Sequence, residues 1–178
     1  MAAISQATVA RYIASSRQGG TTAEQGRALE DMMCYVFSKI PGVSVNARNT
    51  KNAFRTEEID IALWNNTERD GLYFLPNILL VECKNWSNVV TSAEVSWFDR
   101  KIVDHGLDFG ILVAAQGITG DPQTLSAAHF ILATALRDRR RIVIIDIDEI
   151  RALRTSTAFV ALIQRKLCEL VLLGQQHA

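Results

Sequence analysis

The sequence of 178 residues predicts a three-layer α/β domain with a mixed central sheet and helices on both faces. Two alternating apolar segments joined by a turn come early in the chain, which is typical of antiparallel strands. Short apolar runs then alternate with longer segments of helical periodicity, which is typical of parallel strands and their crossover helices. The hydrophobic content of 48%, with 21% charged residues, fits one folded globular domain.

The N-terminal part of the chain predicts two helices. A weakly amphipathic segment over residues 4–16 indicates a short helix. A capping-box pattern at Thr21 and Glu24 then predicts a longer helix that ends near Ile40. Its apolar side repeats at intervals of three and four residues: Leu29, Met32, Met33, Val36, Phe37 and Ile40. Glu30 lies at the edge of that apolar stripe, and by residue type alone we expect it to be an exposed helix residue.

The next segments predict a group of strands. Alternating side chains indicate strands over residues 43–49 and 58–63, and turn residues at 65–71 lead back to a buried apolar strand within residues 77–86. A hairpin of this kind brings Asp60 beside Glu82. The rest of the chain predicts helices and strands in alternation, at residues 92–105, 109–115, 122–137, 142–145, 148–153 and 158–173.

Composition and charge exclude several classes of protein. Nineteen basic residues balance nineteen acidic ones, which argues against a protein that coats nucleic acid electrostatically. No apolar run is long enough to cross a membrane and the N-terminus lacks a signal-peptide core, so we expect a cytoplasmic protein without a membrane partner. The three cysteines are expected to be reduced and buried, and the three histidines show no zinc spacing.

Charged residues at the end of the buried strand are the candidate site. Glu82 and Lys84 point to one face of this strand and Val81 and Cys83 to the other. Such charges are costly there unless they pair, bind a metal or take part in chemistry. Asp60 and Glu82 together would offer Mg²⁺ two carboxylates, and Lys84 could contact both a bound water and a phosphoryl oxygen. This set suffices for metal-assisted phosphodiester hydrolysis.

A family resemblance rests on these residues. The segments Glu-Ile-Asp-Ile at 58–61 and Leu-Val-Glu-Cys-Lys-Asn-Trp at 80–86 resemble the signature of the PD-(D/E)xK nuclease superfamily, and are most similar to Mrr-like restriction endonucleases and NERD domains. The resemblance extends over about residues 22–150. It implies a restriction-endonuclease-like nuclease core over residues 21–150, a helical extension over 1–20, and a C-terminal helix over 151–178, packed on the core or in a dimer interface.

The resemblance also implies a role for each site residue. Asp60 and Glu82 would be metal-binding carboxylates, with the backbone carbonyl of Cys83 as a further ligand, and Lys84 would be the catalytic lysine. Glu30 would complete a second metal site or orient the attacking water. The implied cofactor is Mg²⁺, with Mn²⁺ as a substitute, and the implied activity is that of a DNA endonuclease in bacterial restriction or defence.

Partners and rival functions stay open at this point. We expect a homodimer or higher homo-oligomer, because two strands of DNA must be cut, and a partner protein is one source of target recognition. One rival is a catalytically silent nuclease-fold module that binds nucleic acid or a protein, and another is an assembly subunit that uses its C-terminal helix. Asn85 and Trp86 either touch nucleic acid or belong to the core. Glu94 and Lys101 are near enough to reach the site, although exposed charges are usual on helices.

Overall fold

The computed structural model describes residues 1–17, 20–51, 58–84, 89–121 and 127–173. Within these ranges it contains six helices and five strands. The helices are α1 (Gln6–Arg17), α2 (Thr22–Phe37), α3 (Ser92–Asp104), α4 (Ala128–Arg137), α5 (Ile147–Ala152) and α6 (Ser156–Leu173). The strands are β1 (Val43–Lys51), β2 (Glu58–Asn65), β3 (Ile78–Lys84), β4 (Phe109–Ala114) and β5 (Arg141–Ile145).

The five strands form one mixed sheet in the order β1-β2-β3-β4-β5. Strands β1, β2 and β3 pair in antiparallel fashion, whereas β3, β4 and β5 pair in parallel. The connection over residues 52–57 is too short for the crossover that parallel strands require, whereas helices α3 and α4 provide such crossovers in the second half. The predicted fold class is therefore confirmed.

The two faces of the sheet are covered by two separate apolar cores. On one face Leu80, Leu112 and Ile144 pack against α3 and α4. On the other face Val81 and Ile111 lie in the larger core, which also takes in residues of α1, α2, α5 and α6. Because alternate strand residues point to opposite faces, β3 contributes to both cores, and Glu82 lies on the same face as Leu80.

Helix α2 begins as predicted and ends earlier than predicted. Its capping box is confirmed: the Thr21 backbone N–H donates to the Glu24 carboxylate at 2.6 Å, and the Glu24 N–H donates to the Thr21 hydroxyl at 3.3 Å. The helix ends at Phe37, because the next residues form tighter bonds three residues apart, such as Ile40 N–H to the Phe37 carbonyl at 3.0 Å.

Three expectations about helices need correction or fall outside the description. The apolar residues of the predicted helix at 92–105 indicate a buried side that includes Val103, but Val103 is 43% exposed, because Lys101 and Ile102 take the buried positions and turn it outward. Cys168 was expected to be buried but is exposed on α6, whereas Cys34 and Cys83 are half-buried; all three are free thiols. Helix α4 begins at Ala128, and the predicted start at Pro122 lies outside the described residues.

The C-terminal helix α6 packs on the core of its own chain. The rings of Phe159 and Phe37 lie with centroids 5.0 Å apart, and both side chains are fully buried. Ile163 and Leu170 are buried as well. Among the residues that the structure describes, no helix combines the length and apolar character that a membrane span needs.

Gly110 in β4 allows α3 to lie close to the sheet. A Cβ atom at Gly110 would lie 2.6 Å from Cδ1 of Ile102 and 2.8 Å from Cζ of Phe98. We expect Gly110→Ala to lower the free energy of unfolding by about 1–3 kcal/mol, because the added methyl overpacks this contact. Denaturant unfolding measures the change. Gly26→Ala is the matched control: nothing lies within 4 Å of its added Cβ on α2, so it should stabilise the protein by up to about 1 kcal/mol. Equal stability of the two variants would contradict the close approach.

Candidate active site

The site lies where strands β2 and β3 separate. Their ladder ends at the pair Ile61 and Val81, so one further step along the register places Asp60 opposite Glu82. Beyond that pair, the hydrogen bond between the strands goes to a side chain and not to a backbone carbonyl: the Cys83 N–H donates to Oδ2 of Asp60 at 2.7 Å. The sheet therefore positions the two carboxylates side by side at its open end.

Glu82 is held by two lysines, one on each carboxylate oxygen. Nζ of Lys84 lies 2.9 Å from Oε1, and Nζ of Lys101 lies 2.6 Å from Oε2. Glu82 is only 4% exposed, so this pairing offsets the cost of burying its charge. The side chain of Lys84 is 22% exposed and that of Lys101 is 3% exposed. One lysine thus reaches solvent and the other is enclosed.

Lys101 is the residue that sequence reasoning undervalued. The sequence placed it near enough to reach the site but favoured an exposed helix charge. Lys101 is in fact buried and also donates to the Glu58 backbone carbonyl at 2.6 Å. A signal was present in the sequence. Lys101 follows Phe98 by three residues and so continues the buried side of α3, where a charged residue needs a partner in the interior.

Burial and neighbouring charge set the pKa values in the site. Burial, followed by the charge of Glu82, raises the pKa of Asp60 to about 6, although the Cys83 N–H and the two lysines act in the opposite direction. Burial alone would lower the pKa of Lys84, but the adjacent carboxylates of Glu82 and Asp60 outweigh it and raise that pKa. Lys84 is therefore an ammonium ion at neutral pH while it is paired with these carboxylates.

Glu30 lies apart from this cluster of bonds. It is only 9% exposed, contrary to the expectation from residue type, and accepts hydrogen bonds from Asn49 at 2.8 Å and from Arg48 at 3.3 Å. Burial, and then the charges of Asp60 and Glu30, raise the pKa of the Cys83 thiol well above its usual value. Glu30 thus lies within electrostatic reach of Cys83, and its role in the site stays a prediction.

The donor set fits a hard divalent cation. Mg²⁺ in proteins usually takes one or two carboxylates and completes its shell with water and substrate phosphate. Asp60 and Glu82 are such a pair. Burial first, and then repulsion by Glu82, raise the pKa of Asp60, and a cation between the two carboxylates would relieve the repulsion. Within the described ranges no three acidic, histidine or cysteine side chains lie close enough to hold a metal ion by themselves. Water and phosphate would have to supply the other ligands.

The remaining predicted residues have other positions. Glu94 caps α3 through the Thr91 N–H at 2.8 Å, and its charge contributes to the raised pKa of Lys84. Asn85 and Trp86 lie outside the described residues, so neither of their alternative roles is tested.

Comparison with known protein families assigns the chain to a family. Residues 22–153 match the restriction endonuclease family Mrr_cat. The match includes the whole sheet together with Asp60, Glu82, Lys84 and Lys101. No curated protein matches the chain.

Proposed function

Because this chain belongs to the Mrr_cat family of restriction endonucleases, it carries a nuclease domain, and we propose that it is a Mg²⁺-dependent DNA endonuclease. One observation carries the proposal: a buried carboxylate, Glu82, and a half-buried one, Asp60, lie side by side at the end of the sheet with a partly exposed lysine. The substrate of a nuclease is a nucleic acid, and DNA is the substrate that the name of the family suggests.

Each residue of the site has a distinct task in this proposal. Asp60 and Glu82 would hold the cation, with the Cys83 carbonyl as the further ligand that the sequence resemblance implies. When bound, such a cation lowers the pKa of a coordinated water and stabilises negative charge on the phosphate. Lys84 remains protonated and reaches solvent, so it can donate to a phosphoryl oxygen and to the attacking water. Glu30 would orient that water or contribute to a second cation site.

The biological setting follows from the same assignment. We place the enzyme in bacterial restriction or defence against foreign DNA, with Mn²⁺ able to replace Mg²⁺. The formal net charge of zero gives no strong long-range attraction to DNA, so target choice would depend on local contacts or on a partner protein. A homodimer would bring two such sites to the two strands of a duplex.

A silent nuclease-fold module is the rival proposal. A module that only binds would have no need to keep two carboxylates and two lysines together, since the charges of Glu82 and Lys101 are costly to bury. An assembly role through α6 is supported less, because Phe159, Ile163 and Leu170 already contact the core of their own chain.

Incubation with supercoiled plasmid tests the activity. We expect the wild type to nick the plasmid with Mg²⁺ and to be inactive with EDTA. Lys84→Met should lower the rate by about 100-fold or more, because it removes a donor that stabilises charge in the transition state. Lys39→Met is the matched control, since Lys39 packs over the ring of Tyr35 at 4.8 Å, outside the site. Equal nicking by wild type and Lys84→Met would contradict the assignment.

A further inference from the structure

We propose that Lys101 is a positioning residue whose bond to Oε2 of Glu82 persists when a divalent cation binds. Glu82 then binds the cation through Oε1 alone, and Lys84 is the lysine that leaves Oε1. This inference rests on the proposed function, because it concerns how the same site accepts its cation. It adds a role for a helix residue that lies outside the two strands of the motif.

Lys101 joins the two strands just beyond the end of their backbone ladder. Its ammonium group lies 2.6 Å from the Glu58 carbonyl oxygen on β2 and 2.6 Å from the Glu82 carboxylate on β3. The last backbone pair of these strands is Ile61 with Val81. A single ammonium group therefore fixes the separation of the strands at the level of Asp60 and Glu82, where both carboxylates must converge on one ion.

Lys84 and Lys101 differ in the free-energy cost of leaving Glu82 when a cation binds. Lys84 is 22% exposed, so it can leave Oε1 of Glu82 and turn toward water or phosphate. Lys101 is 3% exposed, so on leaving Oε2 its charge would remain enclosed among apolar neighbours of α3 without the carboxylate. Burying a charge without its counter-ion is far more costly than moving a charge into water. Oε1 of Glu82 is therefore the oxygen that becomes available to a cation.

The consequence is a defined coordination by Glu82. With Oε2 retained by Lys101, Glu82 can bind through one oxygen only and cannot chelate the ion with both. Asp60 then supplies the second carboxylate, which leaves positions for water and phosphate. The lysine that is released from Oε1 is Lys84, the one placed to contact the substrate.

Side-chain ammonium signals of the wild-type protein give a direct test. We would assign the NMR signals of the lysine ammonium groups through the backbone and titrate the protein with Mg²⁺ in the absence of DNA. We expect the Lys84 signal to shift, whereas the Lys101 signal keeps its position and its slow hydrogen exchange. A Lys101 signal that shifts or is lost while that of Lys84 is unchanged would overturn the inference. If neither signal responds to Mg²⁺ and the plasmid stays intact, the proposed function itself fails.

Kinetics of a variant give a second test. Lys101→Met should lower kcat for plasmid nicking by about 100-fold per folded molecule at saturating Mg²⁺, while KM for DNA changes less than about threefold, because an enclosed side chain cannot touch DNA. Arg100→Gln removes a charge from the adjacent, exposed position of α3 and should keep the wild-type kcat. A merely structural role would reduce the folded fraction of Lys101→Met and leave kcat per folded molecule unchanged, which would overturn the inference. If this variant does not fold, the titration of the wild type decides.

Discussion

Asp60→Asn should abolish cleavage and at the same time make the protein more stable. Asparagine can still accept the hydrogen bond from the Cys83 N–H, and it removes a carboxylate that burial and Glu82 disfavour. We expect an activity loss of about 1,000-fold, because the site loses one of the two carboxylates that would bind the metal ion. A bound ion contributes several kcal/mol of transition-state stabilisation. We expect the free energy of unfolding in EDTA at pH 7 to rise by up to about 3 kcal/mol.

The same change should alter how stability depends on pH. The pKa of Asp60 is about 6 in the folded chain and 3.8 for an unperturbed side chain, so the folded state binds more protons between these two values. Stability from this group is therefore fully present below pH 4 or so and is lost as pH rises through about 6. The wild type should show this loss in EDTA, and Asp60→Asn should show much less of it.

Chemical denaturation at several pH values, with and without Mg²⁺, measures both effects. Mg²⁺ should stabilise the wild type and have little effect on Asp60→Asn, because a ligand that binds only the folded state raises its stability. Asp108→Asn, at an exposed carboxylate that faces Arg141, is the matched control and should keep wild-type cleavage. A loss of stability in Asp60→Asn, with normal cleavage, would contradict the assignment of this carboxylate.

Glu149→Ala should destabilise the protein by about 3–5 kcal/mol, the cost of removing one partner from a buried ion pair. Nζ of Lys166 lies 2.9 Å from Oε1 of Glu149, and the Lys166 side chain is only 1% exposed on α6. Glu149 also accepts from the Asp146 N–H at 3.2 Å in the capping box of α5. Its removal therefore weakens the start of α5 and leaves a buried ammonium without this carboxylate.

Replacing Lys166, the other partner of this ion pair, should lower the free energy of unfolding much less. Lys166→Met removes the charge and keeps a side chain of similar length, and Glu149 retains Arg165 at 3.5 Å, so we expect a change within about 1 kcal/mol. The double variant should be more stable than Glu149→Ala alone. Thermal unfolding followed by circular dichroism orders the three variants. Equal losses in both single variants would mean that the packing of α6, and not the loss of the Glu149 carboxylate from Lys166, determines the effect.

Much of the fold was predictable because local chemistry and tertiary structure agree. The Thr21–Glu24 capping box starts α2 in the sequence and in the structure, since the two side chains satisfy backbone groups that any helix leaves open. The alternating residues of β2 gave the face of Asp60, because a strand has a period of two. The mixed sheet followed from the order of the segments, because strands joined in hairpins come first and strands alternating with helices come after them.

Two residues of the site region are held by partners that lie far from them in sequence. Lys101 is buried because Glu82 and the Glu58 carbonyl lie opposite α3, and neither partner is near it in sequence. Glu30 is buried because Arg48 and Asn49 of the edge strand β1 reach across to α2. Residue type predicts exposure at both positions, and only the pairing of distant segments reverses it.

The four charges at the end of the sheet would also link the binding of a metal ion to the binding of DNA in the proposed enzyme. Two carboxylates and two ammonium groups are electrically neutral together, so without a metal ion the centre neither attracts nor repels a polyanion strongly. A divalent ion would give the same four groups an excess of two positive charges. Affinity for DNA and affinity for the ion must then reinforce each other, since linkage between two binding events is reciprocal. An enzyme built in this way would hold DNA weakly whenever its metal is scarce, and so would release it uncut.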